Sequence, residues 1–155
     1  MVTTTERYRM QGSASVEIAA PPALVWSLVT DIERMGEWSP ETYRAEWLDG
    51  ATGPAVGARF RGWNRRPFRQ RWSTRPRVRV CDEPHEFAFA LGLERSDFVV
   101  WRYRLEPAGD GTDVTESVTV RGWALYGLLR PRRRERQLVD GMRQTLARLK
   151  EAAEA

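Results

Sequence analysis

The sequence is poor in the residues that build metal centres and disulfides. It contains one histidine, His85, and one cysteine, Cys81. A structural zinc site draws four ligands from these residue types, so the sequence excludes one. A single cysteine also excludes an internal disulfide and is typical of a reducing compartment, so we expect a cytoplasmic protein. His85 lies in a proline-flanked turn, and we expect it at the surface rather than in the role of a catalytic base.

Long apolar segments and nucleotide-binding motifs are missing as well. The longest apolar run, from Trp123 to Leu129, is interrupted by Gly127 and is too short to span a bilayer. The first eleven residues are polar and lack the apolar core of a signal peptide. Neither G-x-x-x-x-G-K-[ST] nor G-x-G-x-x-G occurs. We therefore expect no metal, no cofactor and no insertion into a membrane.

Lysine is nearly absent, and arginine carries the positive charge. Lys150 is the only lysine among 25 basic residues, so 24 are arginines, and the net charge is +4. Such a balance can indicate nucleic acid or an anionic membrane as a partner. However, 21 acidic residues are interspersed, and the arginine codons of a GC-rich genome explain the bias without any partner. We favour a solvated face that forms ion pairs with Glu46, Glu86 or neighbouring acids, and we expect no nucleic acid. The arginines in question are 69, 71, 75, 77 and 79, with 59 and 61, and the cluster 130, 132, 133, 134 and 136.

In one stretch of the chain, mostly apolar residues alternate with a set that consists largely of arginines. From Phe68 to Val80 the sequence reads F-R-Q-R-W-S-T-R-P-R-V-R-V. Successive side chains of a strand point to opposite faces, so the pattern predicts one long β-strand with an apolar and a cationic face. Pro76 cannot donate to a strand ladder, and we expect a bulge or bend there.

The rest of the chain predicts an α+β domain with few helices. A strand over 13–19 leads into a helix at Pro22 and a short helix from Asp31 to Met35, which Gly36 ends. A long closing helix has one apolar stripe and is the only element long enough to cover a six- or seven-stranded antiparallel sheet. We expect residues 1–11 to be a flexible terminus and residues 12–153 to form one domain. The further predicted strands are 43–48, 58–64, 68–81, 86–91, 97–106 and 112–120, and the stripe is Val139, Met142, Leu146 and Leu149.

Five segments carry a resemblance to a known superfamily. They are S-V-E-I-A-A-P-P-A-L-V-W-S-L-V-T-D-I-E-R-M at 15–35, W-S-P-E at 38–41, G-A-R-F-R-G-W-N at 57–64, W-R-Y-R-L-E-P at 101–107 and G-T-D-V-T-E-S at 111–117. The chain resembles the START-like (SRPBCC) superfamily, which includes polyketide cyclases, aromatase/cyclases and the birch-pollen-allergen fold. The resemblance covers about residues 12–150. It implies a helix-grip fold, in which a curved antiparallel sheet wraps around the last helix and encloses a hydrophobic cavity. Cyclases, lipid carriers and hormone receptors share this fold, so the resemblance does not select among them.

Glu116 is the candidate catalytic residue. It shares the apolar parity of Val114, Val118 and Val120, so a carboxyl faces the interior if the valines do. Burying an unpaired carboxylate is unfavourable, so we expect Glu116 to be paired, hydrogen-bonded or protonated with a raised pKa. Such a group can act as general acid or base in an enolisation. The alternative is a structural ion pair or a network that orients a neighbour.

The predicted ligand-binding residues share the inward parity of their strands or border the expected cavity. The amides of Asn64 and Gln70 would orient a ligand's carbonyl or phenol, or satisfy neighbouring backbone groups instead. Trp38 would form a wall or lid at the entrance, or else pin its loop to the core. Gly141 would leave space for the cavity or admit a bulky strand residue. The full set is Trp38, Phe60, Asn64, Gln70, Trp72, Phe87, Phe89, Trp101, Tyr103, Gly141 and Met142.

Three classes of function are compatible with these patterns. The first, which we favour, is binding of a small hydrophobic ligand, aromatic polyketide-like or lipidic, in an internal cavity. The second is a polyketide cyclase or dehydratase with Glu116 as acid or base. Cyclases that resemble this fold often use arginine and tyrosine inside the cavity, whereas nearly every strand arginine is predicted to point outward. The third is a basic surface module for nucleic acid or an anionic membrane.

Overall fold

The elements follow in an order that agrees with the sequence patterns. A computed structural model describes residues 10–68, 70–93, 96–121 and 131–155. Twenty-four residues form the last helix, α3. A 3₁₀ turn, Ile32–Arg34, leads directly into α2. In chain order the elements are β1 (Met10–Ile18), α1 (Pro22–Val29), α2 (Met35–Trp38), β2 (Thr42–Trp47), β3 (Phe60–Arg66), β4 (Gln70–Thr74), β5 (Arg77–Asp82), β6 (Glu86–Leu93), β7 (Ser96–Ala108), β8 (Gly111–Val120) and α3 (Pro131–Glu154).

The strands form two antiparallel sheets that meet at a corner. The larger sheet has the order β1-β8-β7-β6-β5, and the smaller has the order β2-β3-β4. An isolated bridge between Arg59 and Arg77 connects them. Backbone hydrogen bonds from Phe60 N to Pro76 O (3.2 Å) and from Val78 N to Ala58 O (2.8 Å) reinforce the junction. With α3 as its long closing helix, the structure is the predicted α+β helix-grip fold with a curved antiparallel sheet.

The long strand predicted over 68–81 is in fact two strands. β4 ends at Thr74, β5 begins at Arg77, and the two strands belong to different sheets. The break falls at Pro76, because a residue without a backbone N–H cannot continue a ladder. The described residues therefore contain eight strands rather than six or seven. Phe68 does not share the apolar face: its φ is 67° and its side chain is 98% exposed.

Two further boundaries differ from the prediction. β1 begins at Met10, which is buried, so residues 10 and 11 belong to a strand rather than to a flexible terminus. Gly36 does not end a helix, since α2 continues to Trp38. A Cβ at Gly36 would collide with the carbonyl oxygen of Tyr43, so the glycine allows α2 to pack closely on β2.

The core lies between α3 and the larger sheet. The predicted helix stripe is buried or nearly so, and Met142 packs with Met10 and Val118. Trp26 of α1 contacts Phe87 edge to face, with ring centroids 6.1 Å apart. Beyond the packing, the carboxyl end of α3 is fastened to the first strand. The Lys150 amine donates to Glu17 O at 2.8 Å, and Ala19 N donates to the Glu154 carboxylate at 2.7 Å.

Some predicted features lie outside the described residues. They are Arg69, the apolar run from Trp123 to Leu129, and Arg130. None of the helices in the described part of the chain is both long and apolar enough to cross a membrane.

Candidate ligand-binding cavity

A cavity of about 440 Å³ lies between the two sheets and α3. This volume is in the range of ligand pockets, which are typically about 300–1,000 Å³. Large apolar side chains from both sheets and from α3 form most of its walls: Phe60, Trp72, Phe89, Leu91, Trp101, Leu138 and Met142. Phe60 and Phe89 pack edge to face at 5.1 Å, which fixes the corner where the sheets meet.

Glu116 and Tyr103 place a carboxyl and a phenol on the cavity wall. The two residues are direct cross-strand partners of β8 and β7, so their side chains emerge side by side on the same face. The Tyr103 hydroxyl donates a hydrogen bond to Glu116 Oε1 at 2.9 Å. Both residues are buried. Glu116 Oε2 is also buried and has no hydrogen-bond partner among the described residues.

Burial determines the protonation of this pair. Loss of hydration raises the pKa of the Glu116 carboxyl to about 8, and the hydrogen bond from Tyr103 only partly opposes this. Burial also raises the pKa of Tyr103 well above its ordinary value, with a further contribution from the neighbouring carboxyl. Glu116 therefore holds its proton at neutral pH. A neutral carboxyl with an unpartnered oxygen can donate a hydrogen bond to a carbonyl or hydroxyl oxygen inside the cavity.

Asn64 adds a polar group from the smaller sheet. Its Oδ1 accepts a hydrogen bond from Thr42 Oγ1 at 2.7 Å. Its Nδ2 makes only two long contacts, 3.4 Å to Gly62 O and 3.5 Å to Thr74 Oγ1. The oxygen of this buried amide is thus occupied, whereas the nitrogen keeps donor capacity towards the cavity.

An ion-pair cluster borders the cavity where the β3–β4 hairpin, the residues after α2 and the first turns of α3 come together. Arg134 Nη2 of α3 donates to Glu41 Oε1 at 2.8 Å, and Arg66 Nε of β3 lies 3.7 Å from the same oxygen. All three residues line the cavity, together with the exposed Arg65 and Pro67. We call this region the mouth. It carries more positive than negative charge.

The structure brings most of the predicted ligand-binding residues together. Those that line the cavity are Phe60, Asn64, Trp72, Phe89, Trp101, Tyr103, Gly141 and Met142, in addition to Glu116. Gly141 lies beside Pro40, and a Cβ added there would be 3.5 Å from Pro40 Cγ, an ordinary contact. No bulky strand residue approaches the glycine, so of the two predicted roles its position fits the open-space one.

Three predicted residues do not line the cavity. Trp38 is buried in the core, and Arg148 donates a hydrogen bond to its carbonyl oxygen at 3.2 Å, so it pins its loop instead of forming a wall. Phe87 packs on α1 in the core, away from the cavity. Gln70 begins β4 next to the hairpin turn and is exposed to solvent.

The mouth was not among the features predicted from the sequence. Arg134 belonged to a cluster predicted to be solvated, yet only 8% of its side chain is exposed. Arg66 shares the inward parity of Asn64, and that parity was a usable signal that one strand arginine lies inside. No pattern in the sequence pairs Glu41 with Arg134, because the two are 93 positions apart.

Two of the strand arginines predicted to face outward form ion pairs. Arg79 pairs with Asp97 at 2.8 Å and Arg59 with Asp49 at 3.8 Å. Glu46 and Glu86 do form ion pairs, but with arginines outside the predicted set, Arg44 and Arg102. Within the described ranges, no three His, Cys, Asp or Glu side chains are grouped as metal ligands.

Comparison with known protein families identifies the family to which the chain belongs. The family of polyketide cyclase/dehydrase and lipid transport proteins matches residues 9–154. The chain belongs to this family. A solved polyketide-cyclase-like protein from Corynebacterium glutamicum is 32% identical, covers 93% of this chain and 91% of its own, and superposes with a TM-score of 0.65.

More distant structures share the fold of this family member. A START superfamily protein from Mycobacterium smegmatis is 19% identical, with a TM-score of 0.71 over 93% of this chain and 97% of its own. A protein from Thermus thermophilus is 18% identical, with a TM-score of 0.71 over 91% and 94%. The START-like assignment made from the sequence motifs is therefore confirmed. None of the curated proteins matches the chain at a significant level.

Proposed function

We propose that this family member binds a small, mainly apolar molecule that carries a carbonyl or hydroxyl oxygen. The observation behind the proposal is an apolar cavity of about 440 Å³ with one protonated carboxyl on its wall. Burial of the ligand's apolar surface would supply most of the affinity, at about 25 cal/mol per Å². The unpartnered Oε2 of Glu116 and the amide nitrogen of Asn64 would then fix the orientation of its polar end.

Tryptophan fluorescence provides the direct test. Trp72 and Trp101 line the cavity, so titration with aromatic polyketides and with fatty acids is expected to change the emission. The change should be much smaller in a W72F/W101F variant. It should persist in W63F, because Trp63 lies on the opposite face of β3, between Arg44 and Arg61. A broad ligand panel that leaves the emission unchanged would remove the support for cavity binding.

The same carboxyl supports a second candidate, a cyclase- or dehydratase-like enzyme. In a dehydration, the Glu116 carboxyl would donate its proton to a departing hydroxyl group, which leaves as water, and the resulting carboxylate would take the proton from the adjacent carbon as the C=C bond forms. A pKa of about 8 keeps this proton available at neutral pH. Tyr103, whose hydroxyl donates to Glu116 Oε1, would hold the carboxyl in place.

Glu116→Gln separates the two candidates. The glutamine keeps a hydrogen-bond donor in the cavity but cannot transfer a proton. A carrier is expected to retain binding within a few-fold, whereas an enzyme that relies on the carboxyl would bind and no longer turn over. A Tyr103→Phe variant checks the positioning role, since it should lower turnover less than Glu116→Gln. Turnover that survives Glu116→Gln unchanged would exclude Glu116 from the mechanism.

A further inference from the structure

The turn of the β3–β4 hairpin carries an exposed aromatic ring beside the cavity. Phe68 is 98% exposed and adopts φ 67°, a left-handed conformation that bulky residues rarely take. Its neighbours Arg65, Arg66 and Pro67 line the cavity. The hairpin therefore keeps a strained, solvated phenylalanine next to the mouth, and no contact with a residue that the structure describes accounts for it.

The segment that carries this ring is strongly basic. Segment 65–71 reads R-R-P-F-R-Q-R and contains no acidic residue. Arg65 and Arg71 are direct cross-strand partners, an arrangement that repels and destabilises a hairpin. Of the described arginines in this segment, Arg66 approaches the Glu41 carboxylate. An anionic partner outside the protein would relieve the repulsion between Arg65 and Arg71.

A second hairpin that borders the cavity, between β6 and β7, also exposes an apolar side chain. Leu91 of β6 lines the cavity, and Leu93, two residues nearer the end of the strand, is 70% exposed. Both hairpins thus expose an apolar side chain close to cavity-lining residues. Phe68 is in addition flanked by arginines, and this combination is typical of surfaces that bind the headgroup region of membranes.

We propose that the β3–β4 hairpin docks the mouth of the cavity onto an anionic lipid surface, with Phe68 inserted among the lipids and Arg65 and Arg71 on their headgroups. Docking there would let an apolar molecule pass between bilayer and cavity without crossing water. Single-stranded nucleic acid fits the surface less well. Guanidinium groups already lie over the outward aromatics that would stack bases: those of Arg44 and Arg61 over Trp63 (4.5 and 4.7 Å), and those of Arg65 and Arg71 over Tyr43 (5.4 and 5.9 Å).

Vesicle co-sedimentation of the full chain tests the proposal. Vesicles of phosphatidylcholine with phosphatidylglycerol should bind the protein, those of phosphatidylcholine alone should bind it weakly, and added salt should weaken binding to the anionic vesicles. Phe68→Gly should lower binding about tenfold through the lost apolar contact. It should not lower Tm, because glycine adopts this φ without strain. The R65Q/R71Q pair should also lower binding about tenfold or more.

Matched variants show whether the hairpin itself is responsible. Val56→Ser removes another exposed apolar side chain, 69% exposed in the β2–β3 loop, and should leave vesicle binding unchanged. R104Q/R143Q removes the same charge as R65Q/R71Q from exposed positions elsewhere and should weaken binding less.

Three outcomes would overturn the proposal. They are no binding to anionic vesicles, equal loss in the control and hairpin variants, and retention of single-stranded nucleic acid by the hairpin arginines without vesicle binding. The proposal does not depend on the cavity ligand: vesicle binding without any fluorescence response to ligands would uphold the docking surface and refute cavity binding.

Discussion

At the scale of single residues, Glu116 has the most distinctive environment in the described chain. Its carboxyl is fully buried and neutral because no cation accompanies it and its one hydrogen bond, from Tyr103, does not offset the loss of hydration. Such a group links protonation to folding as well as to binding.

The stability of the protein should therefore fall as pH rises from 4.5 to about 8. Below pH 4.5 the carboxyl is protonated in both states, whereas between 4.5 and about 8 only the folded state keeps the proton. In this window the folded state binds more protons, so the free energy of unfolding decreases by up to about 1.4 kcal/mol per pH unit. Above pH 8 this contribution is lost. Urea unfolding at a series of pH values measures the slope.

Glu116→Gln should flatten this part of the profile, because glutamine does not titrate. Glu106→Gln, at an exposed position of β7, serves as the matched control and should leave the slope unchanged. A wild-type slope that is retained in Glu116→Gln would mean that another group is responsible for the pH dependence.

Ligand binding should respond to the same proton. If the neutral carboxyl donates to a ligand's carbonyl oxygen, the affinity for a neutral ligand should fall as pH rises past about 8. Fluorescence titrations at pH 6.5 and pH 9 in wild type and Glu116→Gln would show a pH-dependent loss in the former alone. An equal loss in both would contradict the donor role.

At the scale of elements, α3 combines a packing stripe with an open position over the cavity. Gly141 lies in the middle of this helix, and a Cβ added to it would meet only Pro40 Cγ, at 3.5 Å. Gly141→Ala should stabilise the fold by about 0.5–1 kcal/mol, because alanine restricts the unfolded chain and favours helix. The added methyl group lines the cavity, so affinity for a ligand that fills it should fall several-fold.

Thermal unfolding and fluorescence titration measure the two effects of this substitution. Ala147→Gly, at an exposed position one and a half turns further along α3, is the reciprocal control: it should lower stability by a similar amount and leave affinity unchanged. A Gly141→Ala protein that is more stable and binds every ligand as tightly as the wild type would show that the space at Gly141 is not part of the site.

The elements were predictable where one face of a strand or helix is buried without interruption. Alternation along β8 predicted Glu116 inside, and alternation along β7 predicted the same for Tyr103, whereas their pairing is given by the strand register of the structure. The same rule failed over 68–81, because parity assumes a single sheet and the chain crosses between two sheets at Pro76. Gln70 lies before that corner, at the start of β4 beside the hairpin turn. There the side chain on the inward side of the strand reaches solvent instead of a packed helix or sheet.

Contacts between distant segments were not predictable from periodicity. The ion pair between Glu41 and Arg134 depends on how a loop and a helix meet, and both residues occur in stretches that look solvated in the sequence. The exposure of the Phe68 ring was not predicted either, although for a different reason. Its apolar character suggested burial, whereas the turn places it in solvent.

At the scale of the whole molecule, the cavity and the basic hairpin form one continuous region. Arg65, Arg66 and Pro67 line the mouth and belong to the same hairpin that exposes Phe68. The cavity and the proposed docking surface are therefore adjacent, although either could function without the other. A ligand that is found only in membranes would be the natural occupant if both hold.

The way in which α3 is attached has a mechanical consequence. Its carboxyl end is tied to β1 by Lys150 and Glu154, whereas near its amino end Arg134 reaches across to Glu41. If the Arg134–Glu41 pair opens, rotation of α3 about its carboxyl end would move the Arg134 end furthest and disturb the packing around Leu149 least. A ligand too long for the cavity would then be accommodated at the amino end of the helix, while the carboxyl end stays on β1.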